Sequence, residues 1–116
     1  MKKLALENSN GIFSELESDI LEILWAKGSA GSRYLHDLVK SKHSVTHSTI
    51  AVTLARLHDK DLLRRKAVKG LGGTRFVYYP KYTKIQLGDQ LAGKFVTFLR
   101  NSFGDACVAN LKKRIR

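Results

Sequence analysis

The sequence has few of the residues that mark secreted, membrane or metal-clustering proteins. Cys107 is the single cysteine among 116 residues. This excludes an intramolecular disulfide and a paired-cysteine metal site, and it fits a reducing compartment. No apolar run approaches the ~18 residues of a membrane span, and residues 1–3 are not followed by the apolar core of a signal peptide. We therefore expect a cytoplasmic protein with no membrane partner.

Acidic residues are also scarce, and their distribution is uneven. Lys and Arg number 21 against 10 Asp and Glu, for a formal net charge of +11. Residues 1–61 are balanced, whereas residues 62–84 hold seven basic side chains and no acidic one. A hydrophobic content of 43% is too high for a disordered basic tail and suits one globular domain. The acid-free stretch favours a polyanion as the partner.

Hydrophobic periodicity predicts an α+β fold that is mostly helical. Residues 1–13 lack a period and are interpreted as a flexible arm. Ser14 and Glu17 have the spacing of a capping box, which opens a first helix that Gly28 ends. A second helix is predicted from Ser32 to about residue 42, and its expected buried side chains are Leu35, Leu38 and Val39.

The third helix, residues 46–60, carries the clearest functional signal. Thr46 is a good N-cap, and the inward stripe consists of Ile50, Leu54 and Leu57. The opposite face is small and nearly uncharged, with Ser48, Thr49, Val52, Ala55 and Arg56. A solvated helix face usually carries Glu and Lys, so this composition predicts a face that a ligand approaches closely.

A basic hairpin follows the third helix. Residues 64–68 and 74–79 have strand-like composition, and residues 69–73 between them include three glycines, which are typical of a flexible tip. Tyr78 and Tyr79 alternate sides, so one is expected in the core and the other on the surface. Three helices followed by two strands predict a winged helix-turn-helix over residues 14–81.

Residues 82–116 form a predicted helical region that follows a complete small domain. Its apolar side chains need a surface to bury them, and we expect that surface to be a second copy of the chain. Folding back onto the same protomer is the alternative. The candidate dimer-interface residues are Leu87, Leu91, Phe95, Phe98, Leu99, Val108 and Leu111.

Double-stranded DNA is the partner that this arrangement fits. A major groove admits one α-helix, whose N-terminal half reaches the base edges, and basic hairpin residues can contact the backbone or the minor groove. The candidate DNA-binding residues are Ser32, Arg33, Thr46, His47, Ser48, Thr49, Val52, Thr53, Arg56, Lys66, Lys69 and Arg75. Two alternatives stay open at this stage: Ser32 and Thr46 can be helix caps only, and Thr53 can be a packing residue.

The chain resembles the penicillinase and methicillin-resistance repressors, the BlaI/MecI/CopY group. The resemblance lies in residues 17–25, in residues 33–36, in the third helix at residues 48–60, and in residues 75–80. It implies a dimeric repressor that binds a palindromic operator, with the third helix in the major groove and the C-terminal helices joining the protomers. Two departures are notable. Cys107 is alone where the copper-responsive branch has cysteine pairs, and Asp61 stands where the family tends to have glycine.

Other chemistry has little support in the sequence. His43 and His47 have the spacing of a helical zinc pair, but the Thr46 cap falls between them and no carboxylate or cysteine is near in sequence. His36 is interpreted as a polar neighbour at a helix interface. We expect no metal, no other cofactor and no enzymatic activity. The alternatives to a sequence-specific repressor are a nonspecific architectural DNA-binding protein and a protein–protein adaptor, and the acid-free hairpin disfavours the adaptor.

Overall fold

The computed structural model describes residues 12–70 and 72–115. Most of the predicted arm lies outside the described residues, and its last residue, Phe13, packs against the core instead of extending from it. The elements in chain order are α1 (Glu15–Lys27), β1 (Ala30–Gly31), α2 (Ser32–Val39), α3 (His47–Asp59), β2 (Leu63–Gly70), β3 (Gly73–Pro80), α4 (Lys84–Phe103) and α5 (Asp105–Arg114). They fall into two compact units, and the boundary between them in the sequence lies between Lys81 and Tyr82.

Helix α1 begins and ends where its sequence signals predict. The Glu17 N–H donates to Ser14 Oγ at 3.1 Å, and the Ser14 N–H donates to Glu17 Oε1 at 2.9 Å. This reciprocal pair satisfies two amide groups that the first turn leaves without helical partners. Gly28 ends the helix at φ 92°, in the region that a residue without a Cβ tolerates. The predicted capping box and stop are confirmed.

The core of the first unit is aliphatic and is built from one stripe of each helix. Its fully buried side chains are Ile20, Leu21, Leu24, Leu35, Ile50, Leu54, Leu57 and Leu63. The predicted inward stripe of α3 is confirmed. The prediction for Leu38 is wrong, because α2 buries Leu35 and Val39 and leaves Leu38 45% exposed beside that stripe. Helix α2 also ends at Val39, where the carbonyl accepts from the N–H groups of Lys42 and His43 and the chain turns.

The sheet has three antiparallel strands in the order β1-β3-β2. The sequence predicts only β2 and β3. Strand β1 has two residues, Ala30 and Gly31, which are too few to show an alternating pattern. Strand β1 pairs Ala30 with Tyr78 and Gly31 with Val77, which ties the start of α2 to the hairpin. Strands β2 and β3 pair as far as Gly70 and Gly73, so both are longer than predicted and the connection shrinks to residues 71–72. Tyr78 is buried and Tyr79 is exposed, as their alternation predicts.

The link from α3 to the hairpin contains an unusual backbone position. Asp61 has φ 66° and is the one non-glycine residue with positive φ in the described part of the chain. Side chains with a Cβ are strained in this left-handed region, which explains why a glycine suits the position. The Asp61 carboxylate is ion-paired with Lys81, which directly follows β3 at the base of the hairpin.

Two substitutions separate the strain at Asp61 from its ion pair. Asp61→Gly and Asp61→Ala both delete the carboxylate, but only glycine relieves the positive φ. We expect the glycine variant to be more stable than the alanine variant by about 1 kcal/mol. Urea unfolding followed by circular dichroism measures the difference. Equal stabilities would show that position 61 carries no backbone strain.

A polar cluster joins α1 to the segment between α2 and α3. Asp19 Oδ2 accepts from His43 Nε2 at 2.7 Å and from Lys42 Nζ at 3.0 Å. The hydrogen bond from His43, and then that from Lys42, hold the pKa of Asp19 below its ordinary value of 3.8. Because the pKa is lower in the folded state than in the unfolded state, the charged carboxylate stabilises the fold at pH values above the ordinary pKa. This contribution is lost as the pH falls through the folded-state pKa.

Asp19→Asn therefore has a pH-dependent cost. We expect the variant to lose about 1 kcal/mol of unfolding free energy at pH 7, where the charged acceptor is replaced by a neutral one. The two proteins should converge as the pH falls through the folded-state pKa of Asp19, below which the carboxyl group is protonated in both the folded and unfolded states. Urea unfolding at pH 7 and at a series of lower pH values measures the cost at each pH. A cost that stays constant with pH would contradict a role for the charge.

The second unit consists of α4 and α5. Thr83 and Gln86 form a capping box at the start of α4, and Gly104, at φ 91°, ends it. Leu87 and Val108 are buried, whereas Phe95 is 51% and Phe98 is 56% exposed. Among the described residues, no helix combines the length and the apolar character that crossing a membrane requires.

Candidate nucleic-acid interface

The outer face of α3 presents small polar and apolar groups. Ser48, Thr49 and Arg56 are exposed, Val52 is 49% exposed, and Ala55 is half-buried between them. The cap is in place as predicted, because the Thr49 N–H donates to Thr46 Oγ1 at 3.2 Å. Since the inward stripe is buried in the core, this outer face is held in one orientation. Its hydroxyls can donate to or accept from bases and phosphates, and its methyl groups can meet thymine methyls.

Thr53 does not belong to that face. It is only 9% exposed, and its hydroxyl donates to the Thr49 carbonyl at 2.8 Å. This bond within the helix satisfies the hydroxyl inside the packed side of α3. The structure thus favours the packing interpretation, and Thr53 is removed from the candidate contact residues.

The N-termini of α2 and α3 meet at one point. Ser32 Oγ and His47 Nε2 lie 2.9 Å apart and share a hydrogen bond. Ser32 is the first residue of α2 and not its cap, since the N-cap is Gly31, which has no capping side chain. The first-turn amide groups of α2 therefore have no side-chain acceptor there and can donate to a phosphate. Arg33 is exposed on the same turn.

Two of the other histidines, His36 and His43, are hydrogen-bonded within the protein. His36 Nε2 lies 2.9 Å from the Val45 carbonyl, which confirms that it is a satisfied polar neighbour at the helix interface. Its ring meets that of His47 edge to face, with centroids 6.1 Å apart. His43 is bonded to Asp19. The described residues contain no group of three or more His, Cys, Asp or Glu side chains arranged to hold a metal ion.

The hairpin divides its cations between two faces. The register places Lys66 opposite Val77 and Arg75 opposite Val68, so Lys66 and Arg75 share one face, whereas Lys69 points to the other. All three are exposed. A Cβ added at Gly70 would lie 3.5 Å from Arg75 Nη2, an ordinary van der Waals distance, so the Arg75 guanidinium lies beside Gly70 across the hairpin. Of these three candidate residues, the structure brings Lys66 and Arg75 to one face of the hairpin.

Two further cations at the base of the hairpin were missing from the candidate residues. Arg64 shares the face of Lys66, and the Arg65 guanidinium lies 4.2 Å from the centroid of the Phe76 ring, in a cation–π contact. The acid-free stretch of the sequence shows that both residues are charged. It does not show which face of the hairpin each one occupies, because that depends on how β2 pairs with β3.

Three helices with an outward-facing third helix, followed by a basic hairpin, define a winged-helix DNA-binding protein. The chain belongs to the penicillinase repressor family, whose profile matches residues 13–115. It is accordingly a DNA-binding transcriptional regulator from a family of repressors. No curated protein matches the sequence.

Solved structures from two organisms have the same fold. One is a possible transcriptional regulator from Methanosarcina mazei Go1, with a TM-score of 0.55 and 17% identity over 78% of this chain and 80% of that chain. Another is a PadR family transcription regulator from hypervirulent Clostridium difficile R20291, with a TM-score of 0.51 and 18% identity over 76% of this chain and 96% of that chain. At these identities the likeness shows the fold.

Proposed function

We propose that the protein is a dimeric repressor that binds a palindromic operator, with α3 in the major groove of each half-site. The observation that carries this proposal is the exposed, nearly uncharged face of α3 beside a hairpin, residues 63–80, that contains five basic residues and no acidic one. The first feature suits close contact with base edges, and the second suits phosphates.

The proposed contacts differ in what they recognise. Ser48, Thr49 and Val52, in the N-terminal half of α3, read base edges, and Arg56 reaches a phosphate or forks onto guanine. The phosphate contacts come from the remaining candidates: Ser32, Arg33, Thr46 and His47 at the helix N-termini, and Lys66, Lys69 and Arg75 on the hairpin. Lys69 lies on the opposite face of the hairpin from Lys66 and Arg75. We therefore propose that Lys69 faces the minor groove and that Lys66 and Arg75 contact the phosphate backbone of the DNA.

The exposed apolar surface of the second unit supports dimerisation through this unit. Phe95 and Phe98 are both more than half exposed, and Leu91, Leu99 and Leu111 are half-buried. Leu87 and Val108 were also expected at the interface, but at 5% and 3% exposure they are already covered within one chain. They therefore have too little accessible surface to contact a second copy, and they are removed from the candidate dimer-interface residues. A two-fold dimer presents two α3 helices to half-sites of opposite orientation, which makes a palindromic operator the matching target.

A nonspecific architectural protein is the second candidate. The outer face of α3 has only three side chains that can hydrogen-bond to bases, Ser48, Thr49 and Arg56, which limits direct readout. A preference for the operator over random duplex DNA distinguishes the two candidates, because an architectural protein binds both alike.

Both candidates have DNA as their target. We therefore propose that the protein works in the cytoplasm and catalyses no reaction.

Substitutions on α3 and on the hairpin test the division of contacts. Thr49→Ala and Val52→Ala should weaken operator binding by about 1–3 kcal/mol more than random-DNA binding, because their partners are bases. Arg75→Ala should weaken both alike and flatten the dependence of binding on salt, because its partner is a phosphate. Fluorescence anisotropy at several salt concentrations measures all of these affinities. Equal losses on both DNAs for the α3 variants would remove those residues from base readout.

A charge placed on the exposed apolar face of α4 tests the dimer. Phe95→Asp should yield a monomer with a folded first unit, because a buried unpaired carboxylate disfavours association. Ile85→Asp, at a position that is 86% exposed and outside the proposed interface, is the matched control and should remain dimeric. Light scattering gives the mass of each variant. An unchanged mass for Phe95→Asp would refute this placement of the interface.

A further inference from the structure

A cleft of about 400 Å³ lies at the base of the hairpin, where the C-terminal end of α3 meets the start of β2. Seven residues of the first unit line it: His58, Asp61, Leu63, Arg64, Arg65, Tyr79 and Lys81. None of them is among the candidate DNA-binding residues. His58 is ten residues from Ser48 on α3, about 15 Å along the helix axis, so the cleft lies at the opposite end of α3 from the base-reading residues.

The cleft has an excess of positive charge. Four of its seven lining side chains carry or can acquire a positive charge, and its single carboxylate, Asp61, is ion-paired with Lys81. Arg64 and Arg65 stand next to each other in the chain. A guanidinium offers planar paired donors, which match the oxygens of a phosphate or carboxylate. The composition of the cleft therefore suits an oxyanion.

His58 places an imidazole ring at the wall of the cleft. Its Nδ1 is enclosed by the protein and has no hydrogen-bond partner among the described residues, so a ligand in the cleft meets the other side of the ring. The side chain as a whole is 31% exposed. An imidazole nitrogen can donate to or accept from a bound group.

The free edge of β2 adds backbone donors to the same cleft. The Lys81 N–H donates to the Leu62 carbonyl at 3.1 Å. Since backbone groups alternate along an antiparallel pair, Arg64 faces β3 with its N–H and C=O, and Leu63 and Arg65 direct theirs toward the open edge. Strand β2 is the outer strand of the sheet. Peptide N–H groups at such an edge can bind an anion together with the cationic side chains.

We propose that this cleft binds the phosphate group of a small molecule, with Arg64, His58 and the backbone of β2 as its donors. Its volume exceeds that of one phosphate ion, and the Tyr79 ring, 38% exposed, offers an apolar wall for the rest of the ligand. None of the lining residues is a proposed DNA contact, although Arg64 lies on the same strand face as Lys66. The inference does not depend on the operator or the dimer.

Inorganic phosphate is the probe for a nuclear magnetic resonance titration of the full chain, with sodium chloride at matched ionic strength as the reference. We expect saturable shifts at the His58 ring and at the amides of Leu63–Arg65. Arg64→Gln should weaken binding at least tenfold. Lys27→Gln removes the same charge from the exposed end of α1, outside the cleft and the proposed DNA contacts, and should change it by less than twofold.

Two results would overturn the proposal. Chloride could produce the same shifts, or the two glutamine variants could weaken binding equally; either would reveal diffuse attraction to a basic surface. A second titration with duplex DNA separates the possible sources of phosphate. We expect DNA to shift the amides of Ser48 and Thr49 and to leave the His58 ring unchanged. If DNA shifted His58 and free phosphate did not, the cleft would belong to the DNA surface. A protein that bound no DNA would leave the phosphate result unaffected.

Discussion

The burial of one side of α3 is the constraint on which the rest of the structure depends. Ile50, Leu54 and Leu57 are fully buried among aliphatic side chains from α1, α2 and β2. Burial of each such side chain contributes about 1.5–3 kcal/mol. Rotation of the helix about its axis would expose all three at once, so the opposite face is fixed toward solvent without any contact of its own. This rigidity holds Ser48, Thr49 and Val52, the proposed base contacts, in position before DNA is bound.

The second constraint is electrostatic, and it concerns the hairpin. A two-stranded extension beyond the core has little apolar surface to stabilise it, and its exposed edge would invite pairing with other chains. Cations along β2 oppose such pairing and also attract polyanions. The Asp61–Lys81 ion pair, the strand pairing of β1 with β3, and the packing of Tyr78 hold the base of the hairpin to the core. One set of charges thus protects the fold and creates the binding surface.

Local signals in the sequence were sufficient for much of this architecture. The capping box at Ser14, the cap at Thr46 and the stripe on α3 depend on residues within one or two helical turns, and each was found as predicted. The features that sequence reasoning missed depend on distant partners. Strand β1 exists because Ala30 meets Tyr78, and Leu38 is exposed because α2 packs by its other side. The opposite faces of Lys66 and Lys69, the burial of Thr53 and the cleft beside His58 likewise follow from register and packing, which have no local pattern.

Sequence-specific recognition of duplex DNA is the central claim, and one comparison tests it most directly. Fluorescence anisotropy would measure binding to the DNA upstream of the protein's own gene and to a shuffled duplex of equal composition, at low and at physiological salt. Sequence-specific recognition predicts a preference of ~10³ or more for the upstream DNA that persists at physiological salt. Equal binding to both duplexes that disappears as salt rises, as expected from phosphate contacts alone, would contradict it.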